Sequence, residues 1–270
     1  VHGELSLMAY PFFALTKQAW MKPLTYSTGD ITIEVNPGHK GVANIYDKEV
    51  ILYIASLMAT KIENGEEVSQ NFVFTANDFF RVTGATPSAN AYTRLYEALE
   101  RLQSTQIKTD IETGGEGEAG FFSWVETARL QYTKTRTGER RLKAVNVRLC
   151  DWLFRAILKD RSVMQYAPSY FQLSPINRRL YEVACFLRFS GVTSIRLGDL
   201  QHQIGHQSLT RLFKPYVVEA ANGTVPGFEF SIQPADGASK SAKVFDDVVV
   251  IKEVPTVAAP MKRAKATPDN

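Results

Sequence analysis

The chain has 270 residues, 44% apolar and 22% charged, with a net charge of +3 and two cysteines. That is ordinary globular composition, enough for two small domains. No apolar run approaches the ~18 residues of a membrane span, the opening residues lack a signal-peptide pattern, and Cys150 and Cys185 suit reduced thiols in a cytoplasmic protein.

Residues 1–30 are apolar and aromatic, with Pro11 and Pro23, and are expected to lie as an arm on a first domain of residues 31–151. Ile31 to Val35 alternates as a strand and stops at Asn36-Pro37-Gly38. Val50, Ile51, Ile54, Leu57 and Met58 recur at helical spacing and predict a helix over Ile45 to Glu63. Phe72 to Phe74 predicts a short strand, and Thr75 with Asp78 a capped second helix. Leu95, Leu99 and Leu102 form the buried stripe of a third helix, Ala89 to Gln103. Gln106 to Glu112, Phe121 to Lys134 and Arg141 to Cys150 predict a three-stranded hairpin region, turning at Thr137-Gly138.

A short helix, Trp152 to Asp160, is predicted in a connecting segment of residues 152–172. The second domain, 173–253, opens with a helix over Asn177 to Phe189. A strand at Thr193 to Leu197, a helix at Gly198 to Ile204 and a third helix from near Gln207 follow, then strands at Phe228 to Gln233 and Val244 to Lys252. Pro215 should either end that third helix early or start a new one. Residues 254–270 are polar and basic, expected to be a disordered tail.

The two domains share a plan. Phe74 to Gly84 and Ile195 to Gly205 each place an Asp (Asp78, Asp199) four residues after an apolar residue, and a Gly (Gly84, Gly205) six residues after the Asp. Thr93-Arg94-Leu95-Tyr96 and Thr210-Arg211-Leu212-Phe213 follow, then the alternating stretches Gln106 to Glu112 and Phe228 to Gln233; Leu52-Tyr53 and Leu180-Tyr181 precede. A helix ended by a left-handed Gly and crossed by a second helix is a helix-turn-helix core. The expected fold is therefore α+β: two tandem winged-helix domains, each a helix-turn-helix core with a β-hairpin wing. Such a core lays its last helix in the major groove of DNA.

Charge distribution agrees. Residues 1–127 carry 9 basic and 16 acidic side chains, residues 128–215 carry 16 and 5, and residues 216–270 carry 6 and 7. A block of net +11 in an otherwise acidic chain is the footprint expected of a phosphate-binding surface. In the second copy Gln207, Ser208, Thr210, Arg211 and Lys214 gather at a helix start, where Arg can pair with guanine, Gln with adenine, and Ser or Thr with base or phosphate. Asn90, Thr93, Arg94 and Arg101 are the counterparts in the first, beside Glu97 and Glu100. Lys134, Arg136, Arg140 and Arg141 crowd a hairpin tip and suit phosphate contacts.

Catalytic and cofactor patterns are missing. Gly115 to Gly120 matches G-x-G-x-x-G but leads into a predicted strand and carries two Glu, so it reads as a hairpin loop. His202 and His206 have metal-like spacing, but Gly205 between them ends the helix and no third ligand is evident. No cofactor, metal or enzymatic activity is expected.

Several stretches also carry a family likeness. Pro11 to Lys17, Ile31 to Tyr53, Tyr96 to Leu102 with Thr105 to Ile107, Leu149 to Ala156 and Arg178 to Glu182 resemble the plasmid replication initiator protein A family, over most of the chain from Pro11 to Ile232. The resemblance implies a plasmid initiator that binds direct repeats (iterons) in double-stranded origin DNA and helps open the duplex. It also implies recruitment of a host initiator ATPase and a replicative helicase, and, as in many related initiators, a homodimer that represses its own promoter. The alternatives are a winged-helix transcriptional repressor and, from a different class, an origin-nicking enzyme.

Overall fold

The computed structural model describes residues 1–255 apart from 30, 118, 139, 162 and 236–242, and only the backbone of Arg140. The predicted tail, from residue 256 onward, lies outside the described residues. The fold is mixed α/β, and its buried apolar side chains gather in two clusters.

The opening segment is not a peripheral arm. Strand β1 (His2–Glu4) pairs antiparallel with β8 (Val163–Gln165), and helix α1 (Leu5–Ala9) follows directly. Leu7 belongs to the first cluster and Met8 to the second, so adjacent residues of one short helix serve both. Phe12 and Phe13 then pack on Trp124, each with ring centroids 5.3 Å away. The apolar character that suggested an arm is that of a segment wedged between two cores.

Strands β2 (Leu24–Thr28) and β3 (Ile31–Asn36) form a hairpin, and helix α2 (Lys48–Glu63) starts later than periodicity predicts. Residues 45–47 are instead held in a turn by Asn44 and Asp47, whose side chains accept backbone N–H groups. Strand β4 (Asn71–Phe74) and helix α3 (Ala76–Thr83) come next; Thr75 caps α3 by accepting from the Asp78 N–H, as the sequence suggests. Gly84 ends α3 at φ 72°, a left-handed conformation that only Gly adopts cheaply. Ser88 caps α4 (Ala89–Ser104), whose Leu95, Leu99 and Leu102 are buried.

Strand β5 (Gln106–Thr109) departs from expectation. It pairs with β3, completing a sheet of order β2-β3-β5, and among the described residues meets the predicted hairpin strand at an isolated antiparallel bridge, Ile107 with Phe122. The third strand of the hairpin sheet is β4, giving the order β4-β7-β6 with β6 (Val125–Lys134) and β7 (Arg140–Leu149). Ile107 and Val35 are both fully buried, and placing β5 beside β3 puts the two opposite each other. Helix α5 (Asp151–Leu158) buries Trp152, and the stretch predicted as a connecting segment carries Tyr166 and Tyr170 into the second cluster.

The second half repeats the first. Helix α6 (Pro175–Phe189), strand β9 (Ser194–Arg196), helix α7 (Leu197–Ile204), helix α8 (Thr210–Glu219) and strands β10 (Phe228–Gln233) and β11 (Val248–Glu253) follow in the order α2, β4, α3, α4, β6, β7. The sheet orders β4-β7-β6 and β9-β11-β10 are the same, and Gly205 ends α7 at φ 83° as Gly84 ends α3. Val244 to Asp246 forms a 3-10 turn, not the start of the last strand.

Two features of the repeat need correction. The counterpart of Phe228–Gln233 is Val125–Lys134, with β5 an addition to the first half. The tetrads are also out of register by one residue: Leu95 is buried while Leu212 is 55% exposed, and Phe213 is buried while Tyr96 is 51% exposed. Aligning the buried stripes, Leu95, Leu99 and Leu102 with Phe213, Val217 and Ala220, pairs Thr93 with Arg211 and Arg94 with Leu212. Nor does Pro215 end α8, which runs through it to Glu219. The proline forfeits a backbone bond, and the buried side chains on either side, Phe213 and Val217, hold the helix together across it.

Candidate nucleic-acid interface

In the second half the turn between α7 and α8 is pinned from beneath. The Gln201 side-chain amide, nearly buried, donates to the carbonyls of His206 (3.0 Å) and Ser208. Ser208 Oγ lies 2.9 Å from His206 Nδ1, and the His206 ring packs on Phe213 and Tyr216. Gln207 and Ser208 are thereby held outward, and both are exposed. Leu209 occupies the N-cap of α8 and no side chain caps the helix. An uncapped first turn leaves backbone N–H groups available to an anion. Arg211 is exposed and makes no ion pair among the described residues. Thr210 is half-buried. Lys214 faces the other flank, where its ammonium meets Asp247 at 2.8 Å.

The first half presents α4 in the same attitude. Asn90, Thr93 and Arg94 are exposed on it, with the Thr93 hydroxyl donating back to the Ala89 carbonyl at 3.0 Å. Arg101 does not join them. Its guanidinium makes a bidentate pair with Asp47, at 2.7 and 2.8 Å, and its side chain is only 16% exposed. Burial pushes the Asp47 carboxyl up, and Arg101 opposes that shift. Arg101 ties α4 to the start of α2 and is a structural cation, not a member of the exposed set.

Strands β6 and β7 project as a ribbon whose tip is the turn closed by Gly138 N–H to Thr135 O, 2.9 Å. Lys134 lies opposite Arg140 and Thr133 opposite Arg141, so the backbone positions of these residues adjoin at the tip. Lys134, Arg136 and Arg141 are exposed; the Arg140 side chain lies outside the described residues. A register shift between Gln131 and Tyr132 leaves Lys143 bulged out of the ladder. Lys143 and Arg129 are exposed and add two cations that sequence reading did not single out. Strand alternation was the signal for Arg129; Lys143 depended on the bulge. Nearer the base, Arg148 is engaged by Glu126 at 2.6 Å and by Gln70.

A model of the family described as replication initiator protein A matches residues 2–230 of this chain. The chain belongs to the replication initiator protein A family. A protein assigned to replication in Wigglesworthia glossinidia brevipalpis is 29% identical over 185 residues, 67% of this chain and 66% of that protein, just under two thirds of its length. Among solved structures, domains 2 and 3 of RctB align over 91% of this chain and 96% of theirs, with a TM-score of 0.62 and 14% identity. A second RctB structure of the same domains gives 0.57 and 12%, over 92% and 96%. At those identities the likeness is one of fold.

Not all of the family member's basic block is surface. Arg178 and Arg179 are buried. Arg178 pairs with Glu49 at 2.8 Å and stacks on Tyr46, while Arg179 pairs with Glu182 at 2.6 Å and donates to the carbonyls of Met8 and Gln203. Arg155 is also nearly buried, donating to Thr113 O. Counting charges could not separate these cations from the exposed ones. His202 stacks on Tyr26 and bonds Ser27 O, so both histidines of the i, i+4 pair serve packing. Glu116, in the glycine-rich loop, is bound by Lys159 at 2.7 Å. Among the described residues no three His, Cys, Asp or Glu side chains gather as a metal site would require, and no helix is long and apolar enough to cross a membrane.

Proposed function

We propose that this family member is a plasmid replication initiator that binds direct repeats of duplex DNA at the origin through two tandem winged-helix units. The observation that carries the reading is the repeated strand, helix, left-handed Gly, helix and hairpin, with one sheet order in both copies. In each copy the outer face of the last helix is exposed, with Arg94 and Arg211 free of ion pairs among the described residues. Arg211 and Gln207 suit base edges in the major groove. Ser208, Thr210 and the uncapped start of α8 suit phosphates. Asn90, Thr93 and Arg94 serve the first unit. Lys134, Arg136, Arg140 and Arg141, with Arg129 and Lys143, lie along the backbone as a wing. Lys214 supports α8 through Asp247 more than it contacts DNA.

Two linked units reading one site gain affinity through effective concentration. Opening the duplex draws on bending by several bound copies and requires no chemistry from the chain itself. Contacts with a host initiator ATPase, with a helicase and with a second copy of the chain belong to the same proposal. Footprinting on the DNA flanking the gene, with a salt titration, tests it. Protection of evenly phased direct repeats and a steep salt slope are expected; a single protected palindrome would replace the initiator reading with a repressor.

A further inference from the structure

We infer that Leu212 reads a thymine methyl group in the major groove, so that the second unit carries a preference the first lacks; this rests on the duplex-binding reading above. Matching the buried stripes of α4 and α8 places Leu212 where the first unit has Arg94. Both positions are exposed on the helix that follows the Gly turn. A cation there can take a phosphate or a guanine edge. A leucine can take neither.

The surroundings of Leu212 are those of a groove-reading face. Arg211, its neighbour, is exposed without an ion pair among the described residues, and Gln207 is held outward by the pinned turn. Pro215 lies three residues on, one helical turn along the same outer face, and is exposed. Leu212 and Pro215 together offer an apolar strip on the outer face, flanked by the exposed Leu209 and Tyr216 and by the Arg211 cation. A scattered exposed leucine is ordinary, but this one stands where the repeat puts its candidate base reader. Of the four bases only thymine presents a methyl group in the major groove. Against any other base edge Leu212 would cover donors or acceptors without bonding them, which disfavours that base.

The test uses the full chain and a duplex selected from a random-sequence pool at fixed salt. Each thymine of the selected duplex is replaced in turn by deoxyuridine, which removes the methyl and nothing else from the groove edge. At one or two thymines the affinity should fall about fourfold, the worth of one buried methyl. That penalty should vanish in Leu212→Ala and persist in Val73→Ala, a control at an exposed apolar residue on β4. Thermal melts of both variants verify folding. Tolerance of deoxyuridine everywhere, or a penalty unchanged in Leu212→Ala, would overturn the contact while leaving duplex binding intact. That result would assign the apolar flank of α8 to a protein partner. Failure to select any sequence would remove the duplex-reading function and this inference together.

Discussion

Arg211 and Arg101 are both candidate DNA-binding cations in the sequence, yet Arg211 makes no ion pair among the described residues while Arg101 grips Asp47 through Nε and Nη2. The difference lies in which helix face each occupies relative to the start of α2, and no local pattern reports that. Arg211→Ala should cost roughly 1–3 kcal/mol on a specific site and relax preference at one base pair, as read by fluorescence anisotropy on matched and mismatched duplexes. Glu4 offers a second residue-scale prediction. It is buried and caps α1 by accepting the Leu7 N–H, and burial pushes its carboxyl up to about 7. A group whose folded pKa is raised stabilises fully below its unfolded value, here 4.5, and loses that contribution as pH rises through the folded value. Glu4→Gln keeps the acceptor without the charge. Its stability relative to the parent should therefore grow by up to about 3 kcal/mol between pH ~4.5 and ~7, measured by urea melts across that range.

At the scale of elements, the two turn glycines do the same backbone job in different surroundings. A Cβ at Gly84 would meet only the Gln172 side-chain nitrogen at 3.3 Å, whereas one at Gly205 would meet Pro11 Cβ at 2.5 Å. Gly84→Ala should cost about 1–2 kcal/mol from left-handed strain alone. Gly205→Ala should cost more, because the Pro11 segment must also shift; paired thermal melts decide the order. The ribbon of β6 and β7 makes a separate prediction. Arg136→Ala should weaken binding about equally on all sequences and reduce the slope of log affinity against log salt by about 1, without changing the preferred site. The cap of α3 and the ribbon tip are legible because their signals are local: Thr75 with Asp78, and Thr137-Gly138. The partner of β5 was not, because an alternating strand specifies which face is buried but not which edge it joins.

Across the whole molecule, the two cores are joined by a buried ionic cluster. Lys48 of α2 and Arg179 and Glu182 of α6 are all within 2% of full burial, with Lys48 Nζ and Arg179 Nη1 at 2.7 and 2.6 Å from the Glu182 carboxylate. Tyr166 and Tyr170 hydroxyls donate to the same carboxylate, and Lys48 and Arg179 also donate to carbonyls of α1. Burial alone would raise the Glu182 carboxyl, but the two cations hold it below the ordinary range; burial pulls Lys48 down to about 8. Glu182→Ala leaves two buried cations without their shared anion and should cost about 3–5 kcal/mol or more. The cluster bridges α1, α2 and α6, so the variant should also separate one cooperative unfolding transition into two, seen by calorimetry.

The sequence by itself determined most elements from Ile31 onward, the repeated order of strand, helix, Gly and helix, the family likeness and the cations at the ribbon tip, because periodicity, turn residues and caps act over a few neighbouring residues. Only the tertiary structure decided the helix register of the second copy, the sheet to which β5 belongs, the central place of the first fourteen residues, and which arginines are free. Those depend on contacts such as Leu7 with one core and Met8 with the other, and Arg179 with Met8, 171 residues away in the chain. Packing and charge burial between such distant segments leave no mark in any local window of sequence.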